Sequence, residues 1–300
     1  MSPPLLQNLP DSDAQIWVNT NYRECHHWLT QVDRDPNKLY RQLAQAKSTR
    51  LGIYFENLWD FYWQHQPHTK LLARNVQLRT KAANENDITR GAFDFLIRIA
   101  DEFYHIETAV KFYLGVPDGA DGPSKWHQWL GPNCNDRLDL KLTRLIQHQL
   151  PLSQQPFAQP MLNRLSDGEH KWQRALGLHG YFFYPAKQIM AAPVASNPHH
   201  LRGEWWHLQD FIAEGIASSN AGYWLLLPRD RWLSPAQTVD IHELYSGKNF
   251  LELVQHWVGA HERPILLAAM QKEDGLWLEQ KRCFVVPNHW PWIERPSRNT

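Results

Sequence analysis

Residues 91–111 read GAFDFLIRIADEFYHIETAVK, and this stretch decides the fold. It reads as a strand, a short turn and a second strand, each carrying acids among apolar residues. In the first, Phe93, Phe95 and Ile97 alternate against Asp94 and Arg98. In the second, Glu107, Ala109 and Lys111 share one face, and Ile106, Thr108, Val110 and Phe112 share the other. Asp94, Glu107 and Lys111 are therefore expected to meet over a paired sheet. Two converging carboxylates can hold a divalent cation, and a lysine beside them can orient or activate a water. The same residue types also make an ordinary surface ion cluster at a sheet edge, and composition alone does not separate the two.

Upstream, TRLGIYFENLWDFYWQH predicts a helix over 49–65. Leu51, Phe55, Leu58 and Tyr62 recur at three and four, giving one apolar stripe, and Glu56 lies off its middle. Pro67 ends the helix, and Leu71 to Arg79 follows as a strand with imperfect alternation. A polar turn at Asn84, Asn86 and Asp87 leads into Gly91. Residues 22–46 read as helix broken at Asp35-Pro36, and residues 1–20 as an irregular arm.

Downstream, Gly115 to Pro132 reads as a long loop beyond the Lys111 strand, where substrate contacts commonly lie. CNDRLDLKLTRLIQHQL then opens a helix capped by Asn133 or Asn135, with Leu138, Leu142, Leu145 and Ile146 on its buried face. Arg137, Lys141, Arg144 and His148 form a basic stripe on a different face, suited either to solubility or to phosphate contact. A Pro- and Gln-rich stretch over 151–170 reads as a boundary. Beyond it strands are expected at 178–184, 205–211, 223–227, 265–271 and 277–286, with a helix around 239–258 interrupted at Ser246-Gly247.

The 300 residues, 43% of them hydrophobic, suffice for one large or two modest domains. Thirty-one basic and thirty-one acidic side chains balance, so any nucleic-acid surface must come from local clustering. The three cysteines, Cys25, Cys134 and Cys283, form no Cys-x-x-Cys unit, which points to a reducing compartment and to no thiolate zinc. Cys134 lies near a helix start, where a buried, inert thiol is expected in preference to an activated one. No signal peptide and no apolar run approaching ~20 residues is present, so the expected location is the cytoplasm and no membrane partner is expected. Fifteen tryptophans and sixteen histidines are many for this length. Core packing accounts for most such tryptophans, and a stacking platform for bases is the sharper minority reading.

The stretch GAFDFLIR…HIETAVK resembles the core of the PD-(D/E)XK nuclease superfamily, whose common element is helix-strand-strand-strand-helix-strand. There a first helix often carries a Glu, the second strand an Asp, and the third an acid and a lysine; Glu56, Asp94, Glu107 and Lys111 fall on matching elements in that order. The longer string of LLARNVQLR, FDFLIR, AVKFYLG, GPNCNDRLDLKL and GYFFYP also resembles a bacterial family with no assigned function, domain-of-unknown-function family 1853. Two positions depart from the nuclease pattern: Ala92 stands where many relatives carry Glu, and Ala109 stands where acid-x-Lys requires the lysine. Lys111 keeps the face but lies ~6.6 Å further along the strand.

The resemblance implies an α/β fold: a restriction-endonuclease-like core with a mixed central sheet flanked by helices, plus a strand-rich C-terminal extension. The boundaries expected are a helical arm at 1–44, the core at 45–190, and an extension or companion domain at 191–300. It also implies metal-dependent hydrolysis of nucleic-acid phosphodiesters. Asp94 and Glu107 would ligate Mg²⁺ or Mn²⁺, Glu56 would complete a second ion or hold a water, and Lys111 would orient the nucleophile. Arg137, Lys141 and Arg144 would engage the phosphate backbone. The alternative is a nuclease-like fold that lost its reaction and binds nucleic acid or protein.

Other motifs fail. Glu279-Gln280-Lys281 is a literal acid-x-Lys, but it comes after the helix-and-strand series, and ordinary surface polarity is expected there. His242-Glu243 begins like a zinc-protease helix, yet Ser246 occupies the second histidine position. There is no P-loop, no G-x-G-x-x-G and no G-x-S-x-G elbow.

Overall fold

Alternating strands and one strongly aromatic helix set the architecture. A computed structural model of the protein describes residues 2–18, 22–46, 48–81, 87–119, 122–214 and 222–292. The first elements are β1 (Gln15–Ile16), α1 (Tyr22–Arg34), α2 (Asn37–Leu43), α3 (Leu51–His65), β2 (Thr69–Lys81), β3 (Asp87–Ile99) and β4 (Glu102–Gly115). There follow β5 (Trp129–Leu130), α4 (Leu138–Arg144), α5 (Gln159–Leu165), β6 (Trp172–Pro185), β7 (Leu201–His207) and α6 (Leu208–Ala213). The chain ends in β8 (Tyr223–Leu227), β9 (Gln237–Thr238), β10 (Leu244–Tyr245), α7 (Gly247–His261), β11 (Ile265–Glu273) and β12 (Leu276–Val286). The turn expected at Asn84 and Asn86 lies outside the described residues.

The chain forms two compact units: Met1–Val110 with Lys141–His179 and Ala195–His199, and Lys111–Leu140 with Gly180–Val194 and His200–Thr300. In the first, the strand order is β2-β3-β4-β6, with β1 added parallel to β6. β2, β3 and β4 are antiparallel. The β3–β4 hairpin turns through Ala100-Asp101, with Ala100 at φ +50. Arg98 Nη2 donates to Asp101 at 2.9 Å, which keeps this strand arginine out of the core.

Helices cover both faces of this sheet. On one, Trp59, Tyr62 and Trp63 of α3 pack against Phe95, Ile97 and Ile106, with the Trp59 and Trp63 rings stacked at 5.1 Å. On the other, Phe93, Leu96 and Phe103 pack against Leu152, Leu162 and Trp172. The expected common face for Phe93, Phe95 and Ile97 is therefore corrected: alternation breaks at Asp94, and Phe93 turns to the side of Leu96. Gly91 permits the close approach of the 3-10 turn at Leu150–Gln154, since a Cβ at its φ of +155 would lie 2.7 Å from Leu152 Cδ1.

In the second unit the order is β6-β7-β12-β11-β8-β10, with β9 on β12 and β5 on β4. β6, β7 and β12 are parallel and the remaining pairs antiparallel, so the sheet is mixed. Phe211 of α6 and Phe250, Val254 and Val258 of α7 pack on Leu267 and Val285. Gly180 of β6 sits at φ +125, where a Cβ would fall 1.8 Å from the Lys111 carbonyl oxygen, so only glycine fits.

Two expected elements are shifted. Residues 208–211 are helix, not strand, because Leu208 and Phe211 bury one helical face at a spacing of three. The helix expected around 239–258 begins only at Gly247: Ser246 is extended, and Ile241–Glu243 is a separate 3-10 turn in which Asp240 accepts the His242 N–H.

Of the acid-x-Lys at 279–281, Glu279 enters a buried pair with Arg282, while Lys281 is exposed as ordinary surface polarity. Arg282, 1% exposed, donates to Glu279 at 2.6 and 2.8 Å and to the carbonyls of Trp232 and Ser234. Glu279 also accepts the Ala236 N–H at 2.8 Å, and Lys281 reaches Glu204 at 3.4 Å.

Candidate active site

The antiparallel ladder between β3 and β4 runs from Ile99↔Glu102 to Phe95↔Ile106. At its end, side chains take over from backbone. Glu107 Oε1 accepts the Asp94 N–H at 3.4 Å, and Asp94 Oδ2 accepts the Thr108 N–H at 2.9 Å. Across β2, Asn75 lies between the pairs Arg74↔Phe95 and Val76↔Phe93, and so opposite Asp94. It adopts φ +49, a left-handed conformation that asparagine tolerates better than most residues. Its side chain hydrogen-bonds Glu56 of α3. Three acids from helix, second strand and third strand thus gather in the first unit.

They act on one another. Burial pushes Asp94 up to about 6, with the Glu107 charge adding to it. Burial pushes Glu107, wholly inaccessible to solvent, up to about 7, and Glu56 adds to that. Glu56 is itself raised by burial and then by Asp94. The positive charge of Lys141 works against all three shifts, and that of Arg144 against Glu107.

Glu107 is held on every side. His105 Nε2 lies 2.9 Å from Oε1, and Gln149 Nε2 donates to Oε2 at 2.6 Å. Burial depresses His105 to about 3, so the ring is neutral and carries one proton; toward an ionised Glu107 the Nε2–H is the donor. Its Nδ1 meets Ser153 Oγ at 3.2 Å. Ser153, His105 and Glu107 are linked in the order of a nucleophile triad, but Ser153 is 4% exposed and the other two are fully buried. A substrate cannot reach that serine, and a histidine at about 3 is a poor base. The linkage serves to fix Glu107.

Gln149 owes its place to a π-helical turn over Leu145–Gln149 that continues α4. Such turns shift a helix's side-chain phase by one residue and recur at functional sites. Among the described residues no group of three or more His, Cys, Asp or Glu is arranged to enclose a metal.

The remaining expected site residues are placed as follows. Lys111 pairs with Asp136 within the second unit. Arg137 precedes α4 and donates to both oxygens of Asp139, at 2.6 and 2.9 Å. Lys141 is half-buried and Arg144 exposed on α4. Cys134 is half-buried, and burial raises its thiol. Asn75, His105 and Gln149 were not among the expected site residues. His105 shares a strand face with Glu107 by a spacing of two, a signal present in the sequence; the left-handed Asn75 and the π-turn carry none.

Fold and site define an α/β protein with a mixed central sheet, flanked by helices, that holds a cluster of buried and half-buried carboxylates beside a lysine. The chain belongs to the family described as Domain of unknown function (DUF1853), whose model matches residues 1–286. No curated protein and no solved structure matches it. Among the described residues no helix is long and apolar enough to cross a membrane.

Proposed function

We propose that the protein hydrolyses nucleic-acid phosphodiester bonds with a divalent cation, on a core of PD-(D/E)XK type. The observation that carries this reading is the interlock of Asp94 and Glu107 at the end of the β3–β4 ladder, with Glu56 and Lys141 close enough to act on them electrostatically. Support comes also from element order: α3, β2, β3 and β4 are followed by α4 and β6, with the two-residue β5 and the short α5 between them.

The donor types suit Mg²⁺ or Mn²⁺: an ion held at the partly buried Asp94 would reach the enclosed Glu107 once its Gln149 donor moved aside. Asp94 and Glu107 are hard oxygen donors close enough to raise one carboxyl through the other's charge. Mg²⁺ is commonly bound by one or two carboxylates, with water and substrate phosphate completing its shell, so a closed cage of protein ligands is not required. When bound, the cation polarises the phosphoryl oxygens and lowers the pKa of its water. His105 and Gln149 keep Glu107 in one orientation, and the Thr108 N–H does the same for Asp94. Glu56, anchored by Asn75, completes a second cation site or holds a water. Lys141 supplies the positive charge that Ala109 lacks, which leaves Lys111 to its pair with Asp136. Arg144, in the same unit as the acids, contacts phosphate, while Arg137 of the second unit stays engaged with Asp139.

A binding-only reading draws on Ala109 and on the saturation of both Glu107 oxygens by protein donors. Incubation with labelled single- and double-stranded DNA and RNA, with Mg²⁺ or Mn²⁺, separates the two. Cleavage that chelation abolishes, and that falls ~100-fold or more in Asp94→Asn and Lys141→Ala, is the expected result. Tight binding with no cleavage of any substrate establishes the binder instead.

A further inference from the structure

We propose that the cleft between α2 and the α3–β2 pair carries the sugar-phosphate backbone of the nucleic-acid strand that reaches the carboxylates; this rests on the function proposed above. The cleft has a volume of about 610 Å³, and its walls include Lys38, Arg41, Gln42, Asn57, Gln64 and Arg74. Its one acid is neutralised from within. Asp60, 3% exposed, pairs with Arg74 and accepts from Gln42 at 3.0 Å and Gln64 at 2.7 Å. Arg74 also donates to Asn57 Oδ1 at 3.1 Å. Among the described residues Lys38 and Arg41 make no ion pair, and both are exposed.

The occupant follows from this chemistry. Cations interleaved with side-chain amides are the groups that contact phosphate and sugar oxygens. A protein partner would need apolar anchors, and the lining holds a single apolar side chain, Ala46. The cleft adjoins the acids in sequence along two elements. Asn57 follows Glu56 on α3, and Arg74 precedes Asn75, the residue hydrogen-bonded to Glu56. The Arg74 charge acts on Glu56 directly. A strand lying along Lys38, Arg41 and Arg74 is thereby led to the carboxylate cluster. This track is separate from α4, where the sequence places its basic stripe.

The test is fluorescence anisotropy of the full-length chain with labelled single- and double-stranded DNA in EDTA, over a series of KCl concentrations. Lys38→Glu combined with Arg41→Glu should weaken binding ~10-fold or more and lower the slope of log K on log salt by about 1 to 2. Lys248→Glu, an exposed change on α7, should leave both unchanged. Wild-type affinity and slope in the double variant overturn the cleft assignment, as does an equal loss in Lys248→Glu, which marks diffuse charge attraction. If wild type cuts nucleic acid and the double variant cuts and binds equally well, the cleft fails while the proposed function stands. If wild type neither binds nor cuts nucleic acid, both fall. A melting temperature matching wild type shows that the double variant is folded.

Discussion

Asp94 and Glu107 replace the last rungs of the β3–β4 ladder with their own side chains, the Glu107 carboxylate accepting the Asp94 N–H at 3.4 Å. A backbone amide that would otherwise face a carbonyl there faces a carboxylate. The arrangement locks both acids in place and keeps them out of water, which makes them costly to ionise.

That cost is measurable as stability. Asp94 has an ordinary value of 3.8 and is held up to about 6 in the folded chain. A raised carboxyl stabilises the fold fully below its unfolded pKa and loses that contribution as pH rises through its folded one. At pH 8 the ionised Asp94 therefore carries a penalty on the order of 3 kcal/mol. Asp94→Asn, whose Oδ1 still accepts the Thr108 N–H, should melt several degrees above wild type at pH 8 and together with it near pH 4. A lower melting temperature at pH 8 contradicts the account.

Lys141 and Lys111 should separate cleanly. Lys141→Ala removes the one charge that acts on all three acids and should cut hydrolysis ~100-fold or more while the fold remains. Lys111→Ala breaks a partly exposed pair with Asp136, worth about 1 kcal/mol or less, and should retain most activity. Single-turnover cleavage beside thermal melts reads both, and the reverse ranking refutes the placement of the lysine.

His179 should contribute to the acid side of the stability curve beside His105, which burial depresses further still. His179 is buried against Phe55 and Trp59, and burial depresses it to about 4 from an ordinary 6.5. The unfolded chain binds the proton first, so this contribution is complete above about 6.5 and is lost as pH falls through about 4. His179→Leu should flatten the fall between those values by on the order of 3 kcal/mol. Urea titrations at pH 7 and pH 4.5 give the difference directly.

Arg282→Met should destabilise by roughly 3 to 5 kcal/mol, because Glu279 is left buried and unpaired. Restoring neutrality with Glu279→Gln in the same chain should recover part of the loss. Recovery absent from the double variant assigns the effect to the lost carbonyl contacts of Arg282 instead.

The sequence states much of this fold and less of its site. The aromatic period of α3, the break at Pro36 and the β3–β4 hairpin are local patterns, and each is legible from residue spacing. Glu56, Asp94 and Glu107 converge because those elements are adjacent in order. Alternation misleads at Asp94 itself, where the strand changes face and Phe93 leaves the side of Phe95. It misleads again at Lys111, whose ammonium follows Asp136, a residue on a loop far along the chain. Gln149 is hidden for another reason: one extra residue in the helical turn before it sets its direction, and no residue type announces a π-turn.

The central claim is that Asp94 and Glu107 form one divalent-cation site. Isothermal titration of Mn²⁺ into wild type and Asp94→Asn, in the absence of nucleic acid, tests it most directly. Wild type should bind, and the variant should bind at least ~10-fold more weakly, since one of two carboxylate ligands is gone. Mn²⁺ binding that survives the substitution unchanged, or no binding to wild type at all, contradicts it.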